Sequence, residues 1–437
     1  MSKKLIAAES FRRQKMKGYS ILVSLIIALL AGAAANAKYS GGTGDPNDPY
    51  QIATAEDLND IGNYEEDWNK HFILVSDVNL AGFPGIQFNI IGYFIGWDRS
   101  GHQIGKPFTG VFDGNDHKIW NFTWNSSTER KGIGLFGYVG SGGQIKHLGM
   151  ENVDVNAING YYVSGLVGIN YYGTISDCYL TGSVSMQNFV GGLVGYNEFG
   201  TIANCRSSGN VAGSCGAGGL VGWNEGTITN CYSIGGGASG VGSIGGLVGY
   251  IYSGTISNCY ATGSVSGASY VGGLVGRNYY YATITNCYST GNVLGGEDIG
   301  GLVGNNYGGT IMSSFWDKQT SGMTNSAGGT GKTTAEMKAK STFTNVGWDF
   351  VDETANGTEN IWTIHQTVDY PKLVWKIVNF VGWYEVNFAD FAFFANYWLQ
   401  ENCASSWDCG GADIDFSDSV DMKDLQIFCQ HWLEGPP

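Results

Sequence analysis

Gly165-Leu166-Val167-Gly168 recurs as Gly-Leu-Val-Gly at 192–195, 219–222, 246–249, 273–276 and 301–304, and the variant Gly134-Leu135-Phe136-Gly137 precedes it. Successive starts lie 31, 27, 27, 27, 27 and 28 residues apart. A second phrase trails each copy: Thr174-Ile175-Ser176-Asp177-Cys178-Tyr179, then Thr201-Ile202, Thr227-Ile228-Thr229-Asn230-Cys231-Tyr232, Thr255-Ile256-Ser257-Asn258-Cys259-Tyr260 and Thr283-Ile284-Thr285-Asn286-Cys287-Tyr288. A fixed period in this range marks stacked units, none of which can bury its apolar face alone.

Helical repeats of this length are excluded. Glycine is too frequent, at 69 of 437 residues, and no unit carries a 3.6-residue apolar period. Within one unit, Gly192 to Gly195, Thr201-Ile202 and Gly209 to Val211 read as three short strands separated by turns. The expected fold is therefore an all-β parallel solenoid (β-helix) of ~27-residue coils. At a spacing of about 4.8 Å per coil, seven coils make a rod of roughly 30–35 Å before caps. Stacking turns each position into a file. Leu135, Leu166, Leu193, Leu220, Leu247, Leu274 and Leu302 form one, and Ile175, Ile202, Ile228, Ile256, Ile284 and Ile311 another. Each such side chain contributes about 1.5–3 kcal/mol when buried.

Three further files invite chemistry. Cys178, Cys205, Cys231, Cys259 and Cys287 share one position. Ligands on one strand face do not enclose a metal tetrahedrally, and in-register neighbours strain a disulfide, so a buried file of free thiols is expected. Asn170, Asn197, Asn224, Asn278 and Asn306, interrupted by Ile251, read as amides bonded along the rod. Just before them runs the file Tyr138, Ile169, Tyr196, Trp223, Tyr250, Arg277 and Asn305, whose aromatic members, with Tyr196, Trp223 and Tyr250 as the ligand-binding candidates, either stack on sugars or cover a turn.

Residues 38–130 read as an N-terminal cap with the first irregular coils, 131–317 as the repeats, 318–378 as a C-terminal closure and 379–437 as a separate module. A helix is expected over Glu56 to Tyr64, capped by Thr54, with Leu58 and Ile61 inward. Thr334 to Lys340 reads as a short capped helix, and Ile361 to Ile364 and Tyr370 to Trp375 as closing strands. Gly331-Lys332-Thr333 imitates a phosphate loop, but Ser326 stands where its first glycine belongs and no apolar strand precedes it.

The first 37 residues carry six bases and one acid, an apolar run from Tyr19 to Ala34, and the small-x-small site Ala35-Asn36-Ala37. This is the pattern of an export signal with a mature start near Lys38 and no membrane span thereafter. A retained anchor is the alternative, although the run is short of a ~20-residue span. Met16 competes with Met1 as the start. The whole chain has a net charge of −15, from 23 basic and 38 acidic residues. Without the leader, 17 and 37 remain, a net of −20. Such a surface repels phosphate backbones, so nucleic acid is not an expected partner.

In the last segment, Val386 to Leu399 is echoed by Val420 to Leu433, with apolar residues at helical spacing in both halves. Asp413, Asp415, Ser417, Asp421 and Asp424 offer side-chain oxygens at loop positions 1, 3, 5, 9 and 12, with the Ser419 carbonyl at 7. That is the spacing of a calcium loop. Asp418 replaces the usual turn glycine and Asp424 the usual glutamate. The first half, Asn379 to Asp390, has Val381 and Trp383 at ligand positions and is degenerate, which leaves one site. Cys403 and Cys409 are candidates for a small disulfide loop between the halves, and Cys429 for a small buried residue.

The Gly-Leu-Val-Gly and Thr-Ile-x-Asn-Cys-Tyr phrases resemble the GLUG-motif repeat family of bacterial surface and secreted proteins, over about Tyr39 to Trp375. That resemblance implies an extracellular protein with adhesive or surface-binding use. The duplicated half-loop ending in Asp424 resembles a type I dockerin, a small all-α calcium-binding module. It implies calcium as cofactor and a cohesin-like docking partner.

For catalysis the chain offers Asp113, Asp116 and His117 together, where Asp113 to Asp116 reads first as a turn. The acids Asp154, Asp177 and Glu198 read as isolated, and no carboxylate pair is expected on adjacent coils. The leading reading is thus an exported, secreted or surface-held, non-catalytic binder of a polysaccharide or cell surface. A polysaccharide-degrading β-helix enzyme and a structural spacer are the alternatives.

Overall fold

The computed structural model describes residues 38–98, 103–351, 353–374, 388–401, 403, 409, 412–415, 417 and 419–430. The leader, Trp375, the half-loop from Asn379 to Asn387, Asp418 and Trp432 lie outside the described residues.

Each Gly-Leu-Val-Gly phrase leads into one strand of a seven-stranded parallel sheet. The strands are Phe136–Val139, Val167–Tyr171, Val194–Glu198, Val221–Asn224, Val248–Ile251, Val275–Tyr279 and Val303–Tyr307, in chain order. The Thr-Ile phrases make a second ladder with Thr174, Thr201, Thr227, Thr255, Thr283 and Thr310 in register. The chain is therefore a parallel β-solenoid of about seven coils. A coil holds four strands rather than the expected three. In one coil these are Val194–Glu198, Thr201–Ala203, Arg206–Ser207 and Asn210–Gly218. The extra break follows Ala203, where the chain turns a corner at Asn204.

That corner explains the Asn-Cys-Tyr phrase. Asp177, Asn204, Asn230, Asn258 and Asn286 all have φ of 51–52°, the left-handed region that Asn and Asp tolerate best. The following cysteine points inward. Cys178, Cys205, Cys231, Cys259 and Cys287 are buried and free. Each thiol donates to the carbonyl two residues earlier, as Cys231 Sγ does to Thr229 O at 3.0 Å. It can also accept from the coil below: Cys205 N–H donates to Cys231 Sγ at 3.3 Å and Cys231 N–H to Cys259 Sγ at 3.4 Å. Ser314 takes over in the next coil, accepting from Cys287 N–H at 3.1 Å and donating to Met312 O at 2.7 Å. The file thus satisfies corner amides that the strand ladders miss.

The Leu file is fully buried. Asparagine amides run beside it. Asn170 Nδ2 donates to Asn197 Oδ1 and Asn197 Nδ2 to Asn224 Oδ1, both at 2.8 Å. The second glycine of the phrase is required by contact. A Cβ on Gly222 would lie 2.7 Å from both Gly195 O and Val190 N.

Caps close both ends. Tyr50–Ile52 pairs with His71–Leu74, which pairs with Val111–Asp113, which pairs with the strand beginning at Gln144. The helix Ala55–Asn63 buries Leu58 and Ile61, and Thr54 and Asp57 form a capping box. At the other end Thr330–Lys332 pairs with Phe315–Asp317, so the phosphate-loop imitation is a strand. The helix Thr334–Met337 carries its own capping box, Thr333 with Glu336. Residues 343–351 and 353–373 also fold back along the side of the rod. There Tyr232, Tyr260 and Tyr288 stack at 4.9 and 5.0 Å and pack with Trp348 and Trp362.

In the last segment the described helices are Phe388–Ala395 and Met422–Gln430, with Phe394 and Phe428 stacked at 5.2 Å. Val351 and Val374 join their apolar cluster.

Candidate functional site

Two places bring polar and aromatic groups together. The first lies on the outer side of the seven-stranded sheet. Tyr138, Ile169, Tyr196, Trp223, Tyr250 and Arg277 are in register there. The sequence proposed Tyr196, Trp223 and Tyr250 as a stacking stripe, and the rings do form a continuous layer, with centroids 4.9 Å apart for Tyr196–Trp223 and 5.5 Å for Trp223–Tyr250. Tyr196, however, is only 4 % exposed. Tyr162 covers it at 4.9 Å, and Phe189 covers Trp223 at 4.6 Å. The stripe is a half-sealed layer, with Trp223 and Tyr250 part-buried, rather than an open platform.

The exposed rings sit one turn further on. Tyr171, Glu198, Glu225, Tyr252, Tyr279 and Tyr307 follow the asparagine file by one residue and stack as its continuation. Next to them Tyr172, Phe199 and Tyr280 occupy left-handed turn positions with φ of 52°, 58° and 49°. Exposure is substantial: 51 % for Tyr172, 47 % for Phe199, 45 % for Tyr280 and 64 % for Tyr307. The rings support one another, with Tyr172–Phe199 stacked at 5.1 Å and Tyr279–Tyr307 at 5.1 Å. Arg277 lies 4.9 Å from the Tyr279 ring. Sequence reasoning looked for aromatics before the asparagine and missed those after it. The signal was there in Tyr171-Tyr172, Tyr252 and Tyr279-Tyr280-Tyr281.

Two carboxylates interrupt this ridge. Glu198 and Glu225 are 27 residues apart and occupy neighbouring coils, which corrects the expectation that no acid pair is so aligned. Gln103 Nε2 donates to Glu198 Oε2 at 2.7 Å, and Tyr196 Oη donates to Glu225 Oε1 at 3.0 Å. Gln103 comes from the antiparallel hairpin Tyr93–Trp97 with Gln103–Lys106, which lays Phe94 on Tyr138. Burial and the Glu225 charge push Glu198 up to about 7, against the Gln103 hydrogen bond. Burial also raises Glu225.

The Asp113, Asp116 and His117 group does not converge. Asp113 bonds His147 Nδ1 at 2.9 Å, while His117 Nδ1 faces Asp77 at 3.1 Å. Asp116, with φ of 62°, belongs to the turn.

The second place is the C-terminal acidic loop. Carboxylate oxygens of Asp413, Asp415 and Asp424 lie within 4.8 Å of one another, and Asp413 and Asp424 are buried. Ser417 N–H donates to Asp413 Oδ1 at 2.9 Å and Asp415 Oδ1 at 3.1 Å, and Ser417 Oγ lies 3.2 Å from Ser419 O. Asp424 accepts from the amides of Ile414, Asp415 and Asp421. Asp421 accepts from Lys423 N–H at 2.8 Å at the start of the helix. Burial, aided by Asp415, raises Asp424 to about 6. Cys403 and Cys409 are joined by a disulfide with Cα atoms 4.8 Å apart, and Cys429 is exposed rather than buried.

Comparison with known proteins gives the repeats their family motif. Residues 159–185, 190–212, 240–266 and 267–294 match the GLUG motif. The chain carries GLUG repeats. A Gly-rich membrane protein of Evansella cellulosilytica, provisionally so named, is 31 % identical over 159 residues, which is 36 % of this chain and 17 % of that protein. Halomucin of Haloquadratum walsbyi is 32 % identical over 167 residues, 36 % of this chain and 2 % of that protein. The chain thus spans less than a fifth of either relative. Among solved structures, a provisionally assigned immunoglobulin A1 protease from Bacteroides ovatus aligns with a TM-score of 0.49 and 20 % identity, covering 77 % of this chain and 96 % of that one. An IgA1 protease aligns at 0.39 and 16 %, covering 60 % and 21 %. Among the described residues no helix is long and apolar enough to cross a membrane.

Proposed function

We propose that the chain is an exported, non-catalytic glycan-binding solenoid, held at its place of action through a calcium-loaded C-terminal module. The observation that carries this reading is the ridge of exposed rings at Tyr172, Phe199, Tyr252, Tyr280 and Tyr307, with the part-buried Tyr279 beside them, on every coil of that stretch but the one of Glu225. Ring faces pack on the C–H faces of pyranoses, and tyrosine adds a hydroxyl for the sugar's own hydroxyls. Coils repeat at about 4.8 Å, so a linear polysaccharide can meet rings from several coils at once. Retention of the full chain on insoluble polysaccharides tests this. Tyr252→Ala/Tyr279→Ala/Tyr280→Ala is expected to lose retention. Undiminished retention by that variant removes the ridge from the account.

One observation favours a second reading, a polysaccharide hydrolase. Glu198 and Glu225 stand on adjacent coils, and a raised carboxyl beside a second one is what acid–base cleavage of a glycosidic bond uses. New reducing ends from the same polysaccharides, absent with Glu198→Gln, would select it over simple binding.

For the module, the donor set suits calcium. Oxygens that share an ion at 2.3–2.6 Å must lie within about 5 Å of one another, and the three aspartates do. Asp413, Asp415, Ser417 and Asp424 would hold the ion, with the Ser419 carbonyl and Asp421 completing the set. Bound calcium would supply the charge that the clustered carboxylates lack. By resemblance the docking partner is a cohesin-like domain.

A further inference from the structure

We propose that the ridge selects a basic glycan, a chain of hexosamines with free ammonium groups, and that the Glu198–Glu225 pair receives an ammonium at its centre. This rests on the glycan-binding reading above and names the sugar chemistry that the ridge takes.

The argument is one of charge complementarity. Exposed rings flank the acid pair, with Tyr172 in the coil below, Phe199 beside Glu198 in its own coil, and Tyr252 and Tyr280 in the coils above. A polysaccharide that spans both ring clusters must cross the two carboxylates. These sit side by side in a part-buried layer, each bonded to a neutral donor, Gln103 or Tyr196. Covering them with a neutral sugar would strip their remaining water without supplying countercharge, which is costly. A uronic acid would add a third negative charge to an already acidic surface. An ammonium reverses both effects, because it pairs with the carboxylates as water leaves. The Glu198 carboxyl, raised by burial and by Glu225, behaves as a group short of positive charge. Arg277 stands over the Tyr250, Tyr270 and Tyr279 rings, at 5.9, 5.1 and 4.9 Å.

Calorimetry of the full chain with three probes tests the idea: a β-1,4-linked glucosamine hexamer, its N-acetylated counterpart and an oligogalacturonate of equal length. The glucosamine hexamer is expected to bind at least about tenfold tighter than the acetylated one, equivalent to about 1.4 kcal/mol, with no measurable galacturonate binding. Glu198→Gln/Glu225→Gln is expected to erase that preference, weakening the glucosamine hexamer and lifting the penalty on the acetylated one. Equal affinities for the two hexamers, or a preference that survives the double substitution, would overturn the proposal and leave glycan binding standing. A lysine hexapeptide that binds as well as the glucosamine hexamer would assign the pair to a protein partner and also overturn it. No binding by either hexamer would bring down the proposal together with the reading on which it rests.

Discussion

At the residue scale the corner cysteines show why a residue type repeats without chemistry. Each thiol gives its proton to a carbonyl two positions back, and Cys231 and Cys259 accept the amide of the preceding coil's cysteine. Ser314 performs both tasks at the end of the file. Cys231→Ser should therefore cost little, under about 1 kcal/mol, whereas Cys231→Val leaves Cys205 N–H unpaired and buried and should cost about 1–3 kcal/mol. Urea titration of the two variants checks the order, and a valine variant as stable as the serine one would contradict it. Glu198 gives a pH prediction. Its folded value, about 7, lies above the ordinary 4.5, so protonation favours the folded chain. Its contribution is complete below pH 4.5 and fades as pH rises towards and through 7. Melting temperature should fall between pH 5 and 8, and Glu198→Gln should flatten that part of the profile. The thiol file was legible because a period of 27 fixed its members, and its burial followed from exclusion of metal and disulfide. Its hydrogen-bonding task was not, since it depends on a left-handed corner that shows only as the Asn before each Cys. Glu225, one period of 27 after Glu198, is equally legible in the sequence as its neighbour on the next coil.

At the scale of the element, the period decides which side chains share a ladder but not which ladder stays open. Tyr196, Trp223 and Tyr250 were placed correctly on one file. What the sequence did not show is that Tyr162 and Phe189, from a different side of the coil, lie over that file. Nor did it show that Gln103, on the antiparallel strand pair Tyr93–Trp97 and Gln103–Lys106, reaches Glu198, 95 residues away. Such irregular insertions have no repeat to announce them. The capped helix at Ala55–Asn63 was legible almost to its ends, because capping is a local matter. In the C-terminal segment the predicted donors Asp413, Asp415 and Asp424 lie together. Calcium at about one hundred times its dissociation constant should stabilise this loop by about 2.7 kcal/mol. Chelation should correspondingly increase proteolysis between Cys409 and Gln430. Asp413→Ala should abolish the difference between chelated and calcium-loaded protein, and a persistent calcium effect in that variant would refute the loop.

At the scale of the whole molecule, stability is a sum over neighbouring coils, so damage at one coil weakens two interfaces. Leu247, buried inside its file, should cost about 2–5 kcal/mol when cut to alanine. The ridge, the thiol file and the acid pair all depend on one condition, the in-register stacking of successive coils. Spin labels on the outer threonine ladder measure that condition most directly. Thr174 and Thr310 are five ladder steps apart and Thr201 and Thr310 four. Pulsed dipolar spectroscopy should give backbone separations of about 24 and 19 Å, a difference of one coil spacing. Equal distances for the two pairs, or a broad distribution unrelated to the number of coils, would contradict the account.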